Sequence, residues 1–162
     1  MGTFGEFIKT LFCGNSLAVV GAALAVVLPG FGSARGVNMV ARATAGLISE
    51  DPNKYGKSML LQALPMTQGI YGMVVAFLIM IFSGITAPET KLTIAEGAYY
   101  LFAALPIAFG GWYSAIRQGE VATAGIAVLA KRPDAVGKAV ISASFVELYA
   151  ILALLISLLL IL

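Results

Sequence analysis

Glu147 lies inside the apolar run Ile141 to Leu162, ISASFVELYAILALLISLLLIL, where nothing else is charged. Keeping a carboxylate ionised in hydrocarbon costs about 2.5–3.5 kcal/mol on insertion scales, so such a group marks a functional site and calls for something that neutralises it. Two other stretches offer partners. Thr67, Gln68 and Tyr71 stand in LQALPMTQGIYG, and together with Leu64 they fall at i, i+3, i+4 and i+7, on one face of one helix. Gln118 stands in SAIRQGE. Glu147, the amide oxygens of Gln68 and Gln118, the Thr67 hydroxyl and a backbone carbonyl near Leu64 make about five hard oxygen ligands, a set suited to an alkali cation and unsuited to a soft metal. A proton on Glu147 needs a single acceptor, which would leave the other oxygens surplus. Pro65 has no N–H, so the Leu61 carbonyl loses its usual partner and the turn around Leu64 loosens. In lipid a loosened turn must find other partners, a cation among them. Blander roles stay open for the same residues: Thr67 bonding back to a carbonyl one turn earlier, Gln68 and Gln118 pairing as an interhelical bond, and Tyr71 packing with its hydroxyl on whichever acceptor is near.

The elements that must position these groups are membrane helices. Of 162 residues, 60% are hydrophobic and 11% charged, against about 25% charged in a soluble average. The net charge of +2 is small and its basic residues are scattered, which excludes a nucleic-acid partner and leaves membrane lipid as the surroundings. A single cysteine, Cys13, and the absence of histidine exclude disulfide frameworks, Cys/His zinc sites, histidine-ligated haem and the usual general base. No G-K-[ST] phosphate loop is present, so any nucleotide chemistry belongs to another subunit. Leu17 to Leu28 has the apolarity of a signal-peptide core, but Glu6 and Lys9 make a poor n-region, and the stretch reads as a retained first span.

Four apolar stretches are separable: Ser16 to Gly32 continuing as helix to about Ile48, Ser58 to Thr86, Ala95 to about Ala130, and Ala139 to Leu162. Each exceeds or approaches the roughly 20 residues that span a bilayer. The first and third carry Arg35, Arg42, Arg117 and Glu120 in their later turns, which predicts helices ~50 Å long running beyond the hydrocarbon. The connections SEDPNKYGK, APETKLTIAE and KRPDAVGK are short and marked by proline, so consecutive helices are antiparallel neighbours. Lys54, Lys57, Lys131, Arg132 and Lys138 crowd the first and third connections while the second has only Lys91. The positive-inside rule then puts loops one and three in the cytoplasm and both termini outside.

The chain repeats itself. ATAGLISEDPNKYGK, from Ala43 to Lys57, returns as ATAGIAVLAKRPDAVGK, from Ala122 to Lys138. The reading is an all-α membrane protein of four transmembrane helices in two duplicated hairpins. Residues 1–13 lead in, 14–86 form the first hairpin, and 87–162 form the second with Glu147. Both hairpins keep one membrane orientation, unlike the inverted halves of many alternating-access transporters. Gly32 and Gly36 form G-x-x-x-G, and Gly111, Ala115, Gly119 and Thr123 form a period-four stripe. Such stripes let backbones approach closely, so the first and third helices are expected to be narrow and central, the bulkier second and fourth to be outer.

LPMTQGIYG, RQG and VELYAIL, at these places in a duplicated four-helix chain, resemble the membrane rotor proteolipid of bacterial V-type ATPases, usually called K or c, nearest the sodium-translocating branch. The resemblance covers essentially the whole chain from about Gly14. It implies a sodium ion held by the Leu64 carbonyl, Thr67, Gln68, Gln118 and Glu147, with Tyr71 hydrogen-bonded to the glutamate. Met66 stands where a glycine is common, and the implied carbonyl is that of Leu64, whereas Pro65 frees Leu61 first. The resemblance further implies a ring of identical protomers without catalytic activity of its own, turned through a central stalk by a cytoplasmic ATP-hydrolysing sector. The ring turns against a stator subunit that bears an essential arginine. With a cation bound Glu147 is neutral and can face lipid; opposite the arginine it exchanges the cation for an ion pair. Met66 sits at the repeat position matching Glu147, so each chain has one site, which favours more ATP hydrolysed per ion and a steeper gradient. A proton-coupled version of the same rotor, a stand-alone small-cation antiporter and a passive structural protein are the competing readings.

Overall fold

A computed structural model describes residues 3–162. Thr3 caps the short helix α1 (Phe4–Leu11): the Glu6 N–H donates to its hydroxyl and its own N–H donates to Glu6 Oε2 at 2.9 Å, a reciprocal capping box. Helix α2 (Gly14–Glu50) then runs 37 residues, about 55 Å at 1.5 Å per residue. Asp51 ends it and accepts the Asn53 N–H at 3.1 Å, starting a proline-led 3-10 turn over Pro52–Lys54. Helix α3 (Tyr55–Ala63) follows, and at Pro65 the α-helical ladder gives way to a 3-10 turn, Leu64–Met66, before α4 (Thr67–Ser83) resumes it. The loosened turn expected at Leu64 is therefore present. Helix α4 stops three residues short of the expected Thr86 because Gly84 takes a left-handed conformation, φ 67°, at its end.

Helix α5 (Ile94–Lys131) spans 38 residues and opens with a second capping box, Thr93 with Glu96. Another proline-led 3-10 turn, Pro133–Ala135, leads to α6 (Val136–Ile161). The duplication is thus visible in both turns, and the two are tied together: Lys54 Nζ donates to the Ala130 carbonyl at 3.0 Å and Lys57 Nζ to that of Pro133 at 3.3 Å. At the opposite end Asn15 holds the middle connection, donating to the Thr90 carbonyl and accepting from the Leu92 N–H, both at 2.8 Å. Four helical segments are long and apolar enough to cross a membrane, Gly14–Glu50, Pro52–Ser83, Ile94–Lys131 and Pro133–Ile161. Among the described residues there is no strand.

Helices α2 and α5 form the central pair, and glycine is what lets them touch. A Cβ on Gly32 would meet the Trp112 backbone, one on Gly36 would lie 2.6 Å from the Ala115 carbonyl oxygen, and one on Gly97 would strike the Gly14 backbone. The two small-residue stripes therefore mate with each other. Helices α4 and α6 flank this pair, and α6 turns Phe145, Leu152 and Leu159 outward. Packing forms two apolar clusters. One gathers Ala25, Val75, Ile79, Ala104 and Ile107; the other gathers Val40, Leu61, Ala122, Ile126 and Leu129.

Candidate ion-binding site

Between those clusters all four long segments bring polar groups together. Gln68 on α4 and Gln118 on α5 are fully enclosed, while Glu147 on α6 and Tyr71, Thr67 and Leu64 are half-buried. The Tyr71 hydroxyl donates to Glu147 Oε1 at 2.6 Å. Gln118 Nε2 donates to Glu147 Oε2 at 3.4 Å and to the Ala143 carbonyl at 3.2 Å. Gln68 Nε2 donates to Gln118 Oε1 at 2.6 Å. Tyr71, Glu147, Gln118 and Gln68 thus form one continuous hydrogen-bonded chain across three helices.

Thr67 and Leu64 stand at its edge. The Thr67 hydroxyl donates to the Leu64 carbonyl at 3.0 Å, so these two candidate ligands are joined to each other, the back-bonding expected of a membrane threonine. The glutamine pairing also occurs, yet it leaves something over. Gln68 Oε1 is buried without a hydrogen-bond partner, and a buried acceptor left unpaired costs about 1–3 kcal/mol. A hard cation is one partner that would satisfy it. For Gln118 to offer oxygen alongside, its amide must turn over, because Nε2 now faces the carboxylate.

The backbone around the site is completed by residues that the sequence did not single out. Ser33 on α2 accepts the Gly69 N–H at 2.9 Å, four residues beyond Pro65, where the 3-10 turn disturbs the ladder. About three turns away from the site along α5 and α6, Ser157 accepts the Ile107 N–H at 3.1 Å, next to Pro106. Freed backbone groups in lipid need such partners. For Ser33 the available signal was its place among small residues, in GSARG, one helix away from a proline. Met66, which stands where a glycine is common, is 51% exposed and lines a surface groove with Val37, Tyr55 and Met59. Arg117 adjoins Gln118 and so stands at the depth of the site rather than beyond it; its guanidinium pairs with Glu120 at 2.9 Å and lies 4.9 Å over the Tyr113 ring. Among the described residues, no three His, Cys, Asp or Glu side chains gather as a metal cluster. The site is one of mixed neutral oxygens around a single carboxylate.

The family model for the C subunit of ATP synthase matches the chain twice, over residues 20–79 and 101–160. The chain belongs to that family. Laid over each other, the two matched segments of this ATP synthase C family member place Met66 opposite Glu147, so the two hairpins carry one carboxylate between them at this repeat position. Over 157 residues the chain is 45% identical to the V-type sodium ATPase subunit K of Enterococcus hirae, covering 97% of each. It is 40% identical over 144 residues to the A-type ATP synthase subunit K of Methanocaldococcus jannaschii, covering 89% of this chain and 61% of that relative. With its four apolar helices, this member of the ATP synthase C family is a multi-pass membrane protein.

Proposed function

We propose that the chain is the ion-carrying rotor subunit of a V-type ATPase, in which Glu147 takes up Na+ within the membrane and carries it as the ring turns. The observation that carries this reading is the hydrogen-bonded set of Glu147, Tyr71, Gln118 and Gln68, joined to the likeness over 97% of the chain to a V-type sodium ATPase subunit K. The proposed ligands are the Leu64 carbonyl, Thr67, Gln68, Gln118 and Glu147. Tyr71 holds the carboxylate in place. Glu147 supplies the charge and the neutral oxygens replace part of the ion's water.

On this reading the chain has no catalysis of its own. ATP hydrolysis belongs to a cytoplasmic sector acting through a central stalk, and release follows when Glu147 meets an arginine of a stator subunit, where a charge-assisted ion pair replaces the cation. The hairpins at 14–86 and 87–162 sit with both termini outside and the lysine-bearing turns around Pro52 and Pro133 in the cytoplasm.

Carbodiimide labelling of Glu147 in membranes tests the proposal. Sodium is expected to protect Glu147 near neutral pH, because a carboxylate engaged with a cation cannot be protonated and activated. Thr67→Val and Gln118→Leu should each raise the sodium needed. Labelling that follows pH and ignores sodium would assign the site to protons, and transport by the purified chain alone in liposomes would assign it to an antiporter.

A further inference from the structure

Arg117 and Glu120 are charged side chains inside a membrane-spanning helix, and neither is among the proposed ion ligands. Arg117 is the chain neighbour of Gln118, whose Nε2 lies 3.4 Å from Glu147 Oε2. It lines a groove of about 450 Å³ between α5 and α6 together with Tyr113, Val146 and Tyr149, so it stands beside the turn of α6 that bears Glu147. A full positive charge held there repels a second cation. At a separation on the order of 10 Å and an effective dielectric constant of about 20, a unit charge changes a binding constant about tenfold.

Two groups hold that charge. Nη1 of Arg117 donates to both oxygens of Glu120, at 3.2 Å and 2.9 Å, and the guanidinium lies 4.9 Å over the Tyr113 ring. Glu120 in turn lines a second cavity, of about 370 Å³, with Met39, Arg42 and Thr123. Between Arg35 and Arg42 on α2, and between Arg117 and Glu120 on α5, it is the only acid against three cations. An i, i+3 pair contributes little at a water-exposed helix surface, where salt screens it. Within a bilayer a single uncompensated charge is costly, and its field is felt at greater range.

We infer that Arg117 and Glu120 set the sodium affinity of Glu147, Arg117 as a fixed cation beside the site and Glu120 as the anion that cancels its charge. This rests on the sodium reading and adds to it two residues outside the ligand set that tune the site. Both act through the field at Glu147 and neither touches the ion. The signature of a field is its sign. Removing the anion and removing the cation move the affinity in opposite directions, whereas damage to packing weakens binding in both cases.

Carbodiimide labelling in membranes, titrated with sodium at one neutral pH and read at Glu147 by mass spectrometry of the labelled peptides, tests this. Glu120→Gln is expected to raise the half-protecting sodium concentration about tenfold, and Arg117→Gln to lower it by a similar factor. Arg117→Gln combined with Glu120→Gln returns it to the parent's value, and Glu120→Asp, which keeps the charge, stays near it. If Glu120→Gln does not accumulate in membranes, the fall in Arg117→Gln and the return in the double variant decide. Single variants that shift the same way, or whose curves coincide with the parent's, overturn the inference and leave the sodium reading standing. A parent chain whose labelling ignores sodium overturns the sodium reading and this inference with it.

Discussion

At the scale of single residues, the phenol of Tyr71 and the amide of Gln118 divide the work of holding Glu147, one donor on each carboxylate oxygen. The two bonds are unequal, 2.6 Å against 3.4 Å, so the tyrosine is the stronger tether. A hydrogen bond to a charged group contributes about 1.5–3 kcal/mol, roughly a tenfold to hundredfold change in an equilibrium constant. Tyr71→Phe is therefore expected to raise the sodium concentration that protects Glu147 from carbodiimide by about that factor, read as a shift in the protection curve. Glu147 and its partners were legible in the sequence because a charged or amide side chain in an apolar run has few reasons to be there. Which amide atom faces the carboxylate was not legible. Spacing along a helix brings Gln118 to Glu147 but says nothing of the rotation about its last bond.

At the scale of elements, the break at Pro65 is what makes the site buildable, and α2 is what keeps the break in order. The proline was readable directly, as was the loosened turn that became Leu64–Met66. Its repair was not, since Ser33 lies in a different helix and its bond to Gly69 depends on how α2 and α4 pack. Ser33→Ala leaves the Gly69 N–H without its acceptor at an expected cost of about 1–3 kcal/mol. Faster amide exchange at Gly69 in detergent micelles, with Glu147 still labelled, is the predicted result. The small-residue stripes were equally plain in the sequence, but two stripes have many possible alignments and only packing selects one. In that alignment a Cβ on Gly36 would lie 2.6 Å from the Ala115 carbonyl oxygen and 2.7 Å from Pro65 Cβ. Gly36→Leu should consequently force α2 from both α5 and the proline turn, lowering the detergent melting temperature far more than Gly46→Leu, a position with nothing within 4 Å.

At the scale of the whole molecule, the duplication sets how many ions a chain can carry. The first hairpin has Met66 where the second has Glu147, and the other site positions have diverged with it. The places matching Gln68 and Gln118 are held by Tyr149 and Val37. Restoring the carboxylate alone should therefore not restore a site. In Met66→Glu, position 66 is expected to react with carbodiimide whether or not sodium is present, while Glu147 keeps its protection, as mass spectrometry of the labelled peptides would show. The count of one carboxylate was available from the sequence.

The backbone contacts along α2 and α5 have a mechanical consequence. From Gly14 against Gly97, through Gly32 against Trp112, to Gly36 against Gly119, two rods of about 55 Å touch backbone to backbone at their glycines, with compact side chains such as Ala25 and Pro29 packed between those points. Side chains with several rotatable bonds would make that seam compliant; touching backbones make it resist shear. Each chain is thus a laminated beam, and twist applied at its lysine-bearing end reaches the depth of Glu147 with little lost to bending. In a rotor that stiffness decides whether a turn of the shaft arrives at the ion as a discrete step or dissipates as strain.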